Sequence, residues 1–191
     1  GDIVTIKPSS TTGFVPNIWV SNTDQNHAYP SESGTIWQSG WDLTTVDGPN
    51  VGHWPGIGLD SNDNVHISYY APSPDWELRY ATFDGTSWSI SVVDDGMGAI
   101  VGRYSSLVVD NNDHIHVAYS DHTNEKLKYA YHDGNSWAIS VVGHSGPPVK
   151  NNWDTSYSIT VDASNNPHIS YYDGTAENLR YAAHDGTNWA T

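Results

Sequence analysis

The chain has 191 residues, no cysteine, and 22 acidic residues against 7 basic ones, a formal charge of -15. That balance argues against nucleic acid as a partner, since phosphates need a basic surface, and the lack of cysteine rules out disulfide staples and thiolate metal sites. No apolar run approaches the roughly 20 residues of a membrane-spanning helix, so no membrane insertion is expected.

Residues 2–7, Asp2-Ile3-Val4-Thr5-Ile6-Lys7, match no later segment, and Pro8 to Thr12 form a short polar linker. Residues 13–47 read as a worn first copy of a repeat, in which Val20, His27, Ile36 and Trp41 stand for positions that recur more clearly downstream. The second copy, 51–95, carries Leu59-Asp60, His66-Ile67-Ser68-Tyr69-Tyr70, Leu78-Arg79-Tyr80-Ala81 and Asp84-Gly85-Thr86-Ser87-Trp88. The third, 101–143, repeats this as Val109-Asp110, His116-Val117-Ala118-Tyr119, Leu127-Lys128-Tyr129-Ala130 and Asp133-Gly134-Asn135-Ser136-Trp137. The fourth, 153–191, has Val161-Asp162, His168-Ile169-Ser170-Tyr171-Tyr172, Leu179-Arg180-Tyr181-Ala182 and Asp185-Gly186-Thr187-Asn188-Trp189. The repeated histidines lie 50 and 52 residues apart.

Each copy predicts four strands. The first precedes the Asp-rich turn, the second starts at the His, the third holds Leu-Arg/Lys-Tyr-Ala, and the fourth starts at the Trp. Asp/Asn-rich and Asp-Gly turns supply the reversals. No helical period competes. Units of four strands at this spacing predict an all-β, four-bladed β-propeller of antiparallel blades, a single domain over 1–191. The last copy reaches Trp189 and lacks an outer strand. Ile3 and Ile6 have the spacing of Ile90 and Val93, so Ile3, Val4, Thr5 and Ile6 are expected to complete that blade beside Trp189. The segment can close its own ring or enter a neighbouring molecule by strand donation, and both stay open.

These motifs resemble secreted bacterial and archaeal propeller repeats with His-Ile-Ser-Tyr-Tyr-Asp, Leu-Arg-Tyr-Ala and Asp-Gly-x-x-Trp in each blade. The Asp-Gly-x-x-Trp turn is similar to the Asp-box of sialidase-like propellers, one residue shorter. The resemblance covers residues 13 to 191, implies an extracellular or cell-surface location, and assigns no single activity, because the architecture hosts many functions.

Two arrays invite a chemical role. His27, His66, His116 and His168 share one position, but each starts the second strand, away from the propeller axis, where it is expected to bond the Asp-rich turn before it rather than to converge on a metal. Asp60-x-Asn62-x-Asn64 and Asp162-x-Ser164-x-Asn166 space oxygen ligands as calcium would need. Asp110-x-Asn112-x-His114 breaks that pattern, and Asp and Asn also favour tight turns without metal, so no cofactor is required and calcium remains the alternative.

No nucleophile elbow, phosphate loop or His-Glu-x-x-His motif is present, and the recurring acids sit in equivalent turns, so the chain is not expected to be an enzyme. His53, Trp54, Trp76, Arg103, Tyr104, Trp153 and Tyr157 fall in the connections on the opposite face from those turns and vary from copy to copy. Variable aromatic connections on a rigid scaffold predict a binding face, with glycans as partners. The alternative is a structural subunit of an extracellular fibre, whose partners are its own copies joined head-to-tail through residues 2–7.

Overall fold

The structure is a computed structural model, described here over residues 44–145 and 156–191. Most of the first repeat copy, residues 2–7 and Trp153 lie outside the described residues. Contacts divide the chain into residues 1–44 and a second unit, 45–191, and the account below is of the second.

That unit is built from three four-stranded antiparallel meanders. Sheet I holds β1 (His53–Leu59), β2 (Val65–Ala71), β3 (Glu77–Phe83) and β4 (Trp88–Asp94). Sheet II holds β5 (Val101–Val109), β6 (Ile115–Asp121), β7 (Lys126–His132) and β8 (Trp137–His144). Sheet III holds β9 (Tyr157–Val161), β10 (Pro167–Asp173), β11 (Asn178–His184) and β12 (Trp189–Ala190). A 3-10 turn at Gly96–Gly98 is the only helical element among the described residues. The second, third and fourth repeat copies each make one sheet.

The turns fold as their residues dictate. Asp63, Asp113 and Asn165 hold the left-handed conformation, with φ of 62°, 63° and 64°, which Asp and Asn tolerate better than other side chains. In the Asp-Gly turns Asp84 Oδ1 accepts the backbone N–H groups of Thr86 and Ser87, both at 2.8 Å, and Asp133 and Asp185 repeat the bonds. These donors hold all three carboxyls below the ordinary aspartate range.

The repeat's signature residues form one relay. Within a sheet the turn Asp faces the His, and the His Nδ1 meets the Tyr hydroxyl of the third strand. Asp110 lies 3.3 Å from His116 Nε2, and His116 Nδ1 lies 2.6 Å from Tyr129 Oη. Asp60–His66–Tyr80 and Asp162–His168–Tyr181 repeat it. The Trp comes from the next sheet. Trp137 meets Tyr80 edge-on at 5.3 Å between centroids, and Trp189 meets Tyr129 at 5.1 Å. The relays of sheets I and II thus each take a side chain from the following sheet, which ties blade to blade.

Neighbouring sheets also meet through their first strands. A Cβ on Gly56 would lie 2.6 Å from the backbone N of Leu107, and one on Gly58 would lie 2.9 Å from Leu107 Cδ2 and Val109 Cγ2. Only hydrogen fits there, so β1 can lie directly on β5. The core runs through these joints, with Leu78, Leu127, Val117 and Ile169 fully enclosed.

The outer strand of sheet III spans two residues, Trp189 and Ala190, paired with His184 and Ala183. Residues 178–182 of β11 have no outer partner among the described residues. Leu179 is 80% exposed, although its counterparts Leu78 and Leu127 are at 0%.

Candidate functional site

The site starts from two bulges. The β1–β2 register shifts between His53 and Gly56, and the β5–β6 register shifts between Arg103 and Ser106. Trp54 and Tyr104 occupy these equivalent irregularities with φ of 49° and 58°. Bulky side chains at positive φ are strained, and such outliers persist where surrounding packing fixes them. A bulge turns a side chain out of the strand's alternation. Here it brings two aromatic rings from different sheets to a centroid separation of 4.8 Å.

Other rings join them. Tyr70 lies 5.6 Å from Trp54, His53 lies 5.7 Å from Trp54, and Tyr157 meets Tyr104 edge-on at 6.1 Å. The Arg103 guanidinium stands 5.8 Å from the Trp54 centroid and 5.5 Å from that of Tyr70, within cation–π range. Its Nη1 is 3.2 Å from His122 Nε2. Ser105 donates its hydroxyl to the Trp54 carbonyl at 2.8 Å, pinning the bulge.

Exposure is graded across the group. His53 is exposed, Trp54 and Arg103 are half-buried, and Tyr104 and Tyr157 are buried. Tyr104 and Tyr157 belong to the core shared by sheets II and III, and Trp54 packs against that core. Burial pushes the Tyr157 hydroxyl up and His122 down, and the adjacent Arg103 charge lowers His122 further. The His122 imidazole is therefore favoured in its neutral form, which can accept the Arg103 N–H. The Tyr70 hydroxyl and Arg103 Nε are buried without a hydrogen-bond partner.

Five residues singled out from the sequence, His53, Trp54, Arg103, Tyr104 and Tyr157, thus form one contiguous group. Trp76 is not part of its ring contacts. It sits in the β2–β3 connection at φ 57°, and its carbonyl accepts the N–H of Val101 at 3.0 Å. Glu125 and Glu177 hold the same conformation at φ 56° and 51° in the equivalent loops, so the backbone there belongs to the scaffold. Trp153 lies outside the described residues, as do Ile3, Val4, Thr5 and Ile6. Trp189 is half-buried between Tyr129 and His184. Sequence reasoning missed Tyr70 and His122. The signal at Tyr70 was the second Tyr of Tyr69-Tyr70, a position that Ser120 takes in the next copy.

The turns for which calcium is the alternative carry their own donors. Asp60 Oδ1 accepts the N–H groups of Asn62 and Asn64 at 2.9 Å each, and Oδ2 accepts from Asn64 Nδ2 at 2.8 Å. Asp162 accepts from Ser164 N at 2.8 Å, Asn166 N at 2.9 Å and Asn166 Nδ2 at 3.1 Å. An Asn whose amide N–H₂ points at the carboxylate offers that carboxylate a donor, as a metal-free turn does. Among the described residues no cluster of three or more His, Asp or Glu side chains is arranged for a metal.

No protein-family model matches the chain, and no curated protein matches it. Solved structures do. The Aleuria aurantia lectin, as an N224Q mutant in complex with alpha-methyl-L-fucoside, aligns with 81% of this chain and 48% of its own at 18% identity and a TM-score of 0.57. AofleA from Arthrobotrys oligospora aligns with 81% of this chain and 47% of its own at 18% identity and a TM-score of 0.55. The SapL1 lectin in complex with alpha methyl fucoside aligns with 72% of this chain and 45% of its own at 20% identity and a TM-score of 0.51. The chain spans about half the length of these three structures. At such identities the likeness is one of fold, and with the sheets described above it defines the chain as an all-β protein of the β-propeller class.

Proposed function

We propose that the chain is a non-catalytic, extracellular propeller module that binds carbohydrate at the group centred on Trp54. The observation that carries this is the pair of equivalent bulges, which spend backbone strain to place Trp54 against Tyr104 beside an exposed His53 and a half-buried Arg103. An aromatic surface flanked by polar groups suits a sugar, whose C–H face stacks while its hydroxyls take hydrogen bonds. The similarity of fold to lectins solved with methyl fucosides supports the class of ligand. A broad glycan array tests it. The intact protein should bind, and Trp54→Ala should lose that binding while keeping its circular dichroism spectrum. A folded protein that binds no glycan on the array overturns it.

A second reading has its own observation. The outer edge of β11 is unpaired over 178–182 among the described residues, and Leu179 and Tyr181 beside it are exposed. An open edge is a template for another strand. Donation of residues 2–7 by a neighbouring copy would make a fibre. The chain should then form polymers that a synthetic peptide of residues 1–8 caps. A strictly monomeric protein excludes this route.

A further inference from the structure

We propose that the site at Trp54 reads a carboxylate, so that its preferred ligands are acidic sugars, uronic or sialic, rather than neutral ones. This rests on the carbohydrate-binding reading above and specifies the chemistry of the same site. It begins with charge. The protein carries -15, and most of its described cations are neutralised where they stand. Arg79 meets Asp47, Asp75 and Glu77, Lys128 meets Asp94, and Arg180 meets Asp173. Arg103 meets no carboxylate among the described residues. The acids nearest in sequence to its partner His122 are committed elsewhere: Asp121 accepts both an N–H and the side-chain amide of Asn124, and Glu125 faces His144 at 3.7 Å.

Arg103 is also held in place. Two aromatic rings flank its guanidinium, and Nη1 is fixed against His122 Nε2. Nε is sealed without an acceptor. Nη2 has no acceptor among the described residues, so its N–H groups are left for a ligand, and a guanidinium N–H makes a charge-assisted bond to a carboxylate oxygen. The net charge of -15 disfavours the approach of an anion, so a preference for the acid has to come from the local, partly buried pairing with Arg103. The open part of Trp54 and the exposed His53 then lie where the sugar ring of such an acid would rest.

The test compares each acid with its own neutral form. An array or titration series would present glucuronate-, galacturonate- and sialate-terminated glycans beside their methyl esters, which keep the sugar and remove the charge. The intact protein should bind an acid at least about tenfold more tightly than its ester, the scale of a charge-assisted hydrogen bond. Arg103→Gln should reduce acid binding to the level of the ester. Equal binding of acid and ester by the intact protein overturns the inference and leaves the carbohydrate-binding reading standing. So does an acid preference that Arg103→Gln leaves unchanged, or a preference for sulfated over carboxylated sugars. Binding of no sugar at all overturns both. The comparison on the intact protein stands even if Arg103→Gln fails to fold.

Discussion

The joint between sheets I and II and the joint between sheets II and III use the same aromatic frame but different polar fittings. Tyr80 with Trp137 and Tyr129 with Trp189 are near copies in distance and angle. Around them the first joint is tighter. Gly56 and Gly58 let β5 lie against β1, whereas β5 presents Ser106 and Val108 to β9, and Ser106 Oγ accepts from Ile159 N at 3.3 Å. At the first joint Asp113 takes two bonds from Ser61, at 2.7 and 2.6 Å; at the second Asn165 takes longer ones from Asn111, at 3.4 and 3.2 Å. The largest difference is Asp94. It ends sheet I and accepts from Tyr119 at 2.7 Å and from Lys128, both in sheet II. Asp47 serves Tyr69 and Arg79 in the same way. At the second joint the corresponding residue is Gly143. Tyr171 there has no carboxylate to donate to among the described residues, and Arg180 turns to Asp173 of its own sheet. The aromatic relay is therefore common to both joints, and the carboxylate clamp is what distinguishes the first.

The greatest effect should come from the frame itself. Trp137→Ala removes the ring that closes the first relay and should cost about 3 to 5 kcal/mol in denaturant unfolding, the scale for deletion of a large packed aromatic. A loss below about 1 kcal/mol would mean that the relay does not set the joint. Next is Gly56→Ala. Its Cβ would sit 2.6 Å from the Leu107 backbone, which cannot move as a side-chain tip would, and a cost of about 1 to 3 kcal/mol is expected. The same change at Gly48, with nothing within 4 Å, should be nearly silent.

Asp94→Asn should cost about 1.5 to 3 kcal/mol, the range for hydrogen bonds to a charged group, because it leaves Lys128 facing a neutral amide. Burial pushes the Asp94 carboxyl up, but the Lys128 and Tyr119 bonds outweigh it and hold the carboxyl below its ordinary value of 3.8. A lowered folded value gives stability that is full above the unfolded range and is lost as pH falls through it. Unfolding measured from pH 6 down to pH 2 should show the intact protein losing more stability than Asp94→Asn. Parallel curves would remove Asp94 from the account. The smallest effect sharpens the comparison. Gly143→Asp should supply the missing clamp, since a Cβ there would lie in ordinary contact with Tyr171 Oη and Thr191 Cγ2, 3.6 Å from each, and a gain of about 0.5 to 1.5 kcal/mol is expected. A loss of stability would show that the second joint cannot take the fitting of the first.

Much of this was legible in the residues. The recurring Asp, His, Tyr and Trp fixed the strand boundaries because each has a partner at a set distance in the repeat, and the relay explains why all four recur together. The clamp was half legible, since Arg79, Lys128 and Arg180 share a slot, but the carboxylate lies ahead of the first strand of each sheet, as Asp47 and Asp94 do, and drops out at Gly143. The candidate site was less so. Trp54, Arg103 and Tyr104 stood out by departing from the repeat. The bulges that bring them together leave no mark in the sequence, because positive φ at an aromatic residue is imposed by packing rather than by local preference. Tyr70 and His122 read as ordinary strand and loop residues until the fold placed them beside Arg103.

The two-residue length of β12 also has a consequence in time. Backbone amides exchange with solvent deuterium at rates set by how often their hydrogen bonds open, so a paired edge is slow and a bare one is fast. In β3 and β7 both edges are paired along most of their length. In β11 the outward amides of residues 179–182, which have no partner among the described residues, should label within the dead time of a manual experiment if that edge is bare in solution, while those at the same positions of β3 and β7 stay protonated far longer. The three chemically similar Leu-Arg/Lys-Tyr-Ala segments would thus carry different clocks. Slow labelling at 179–182 would report a strand laid along that edge in solution.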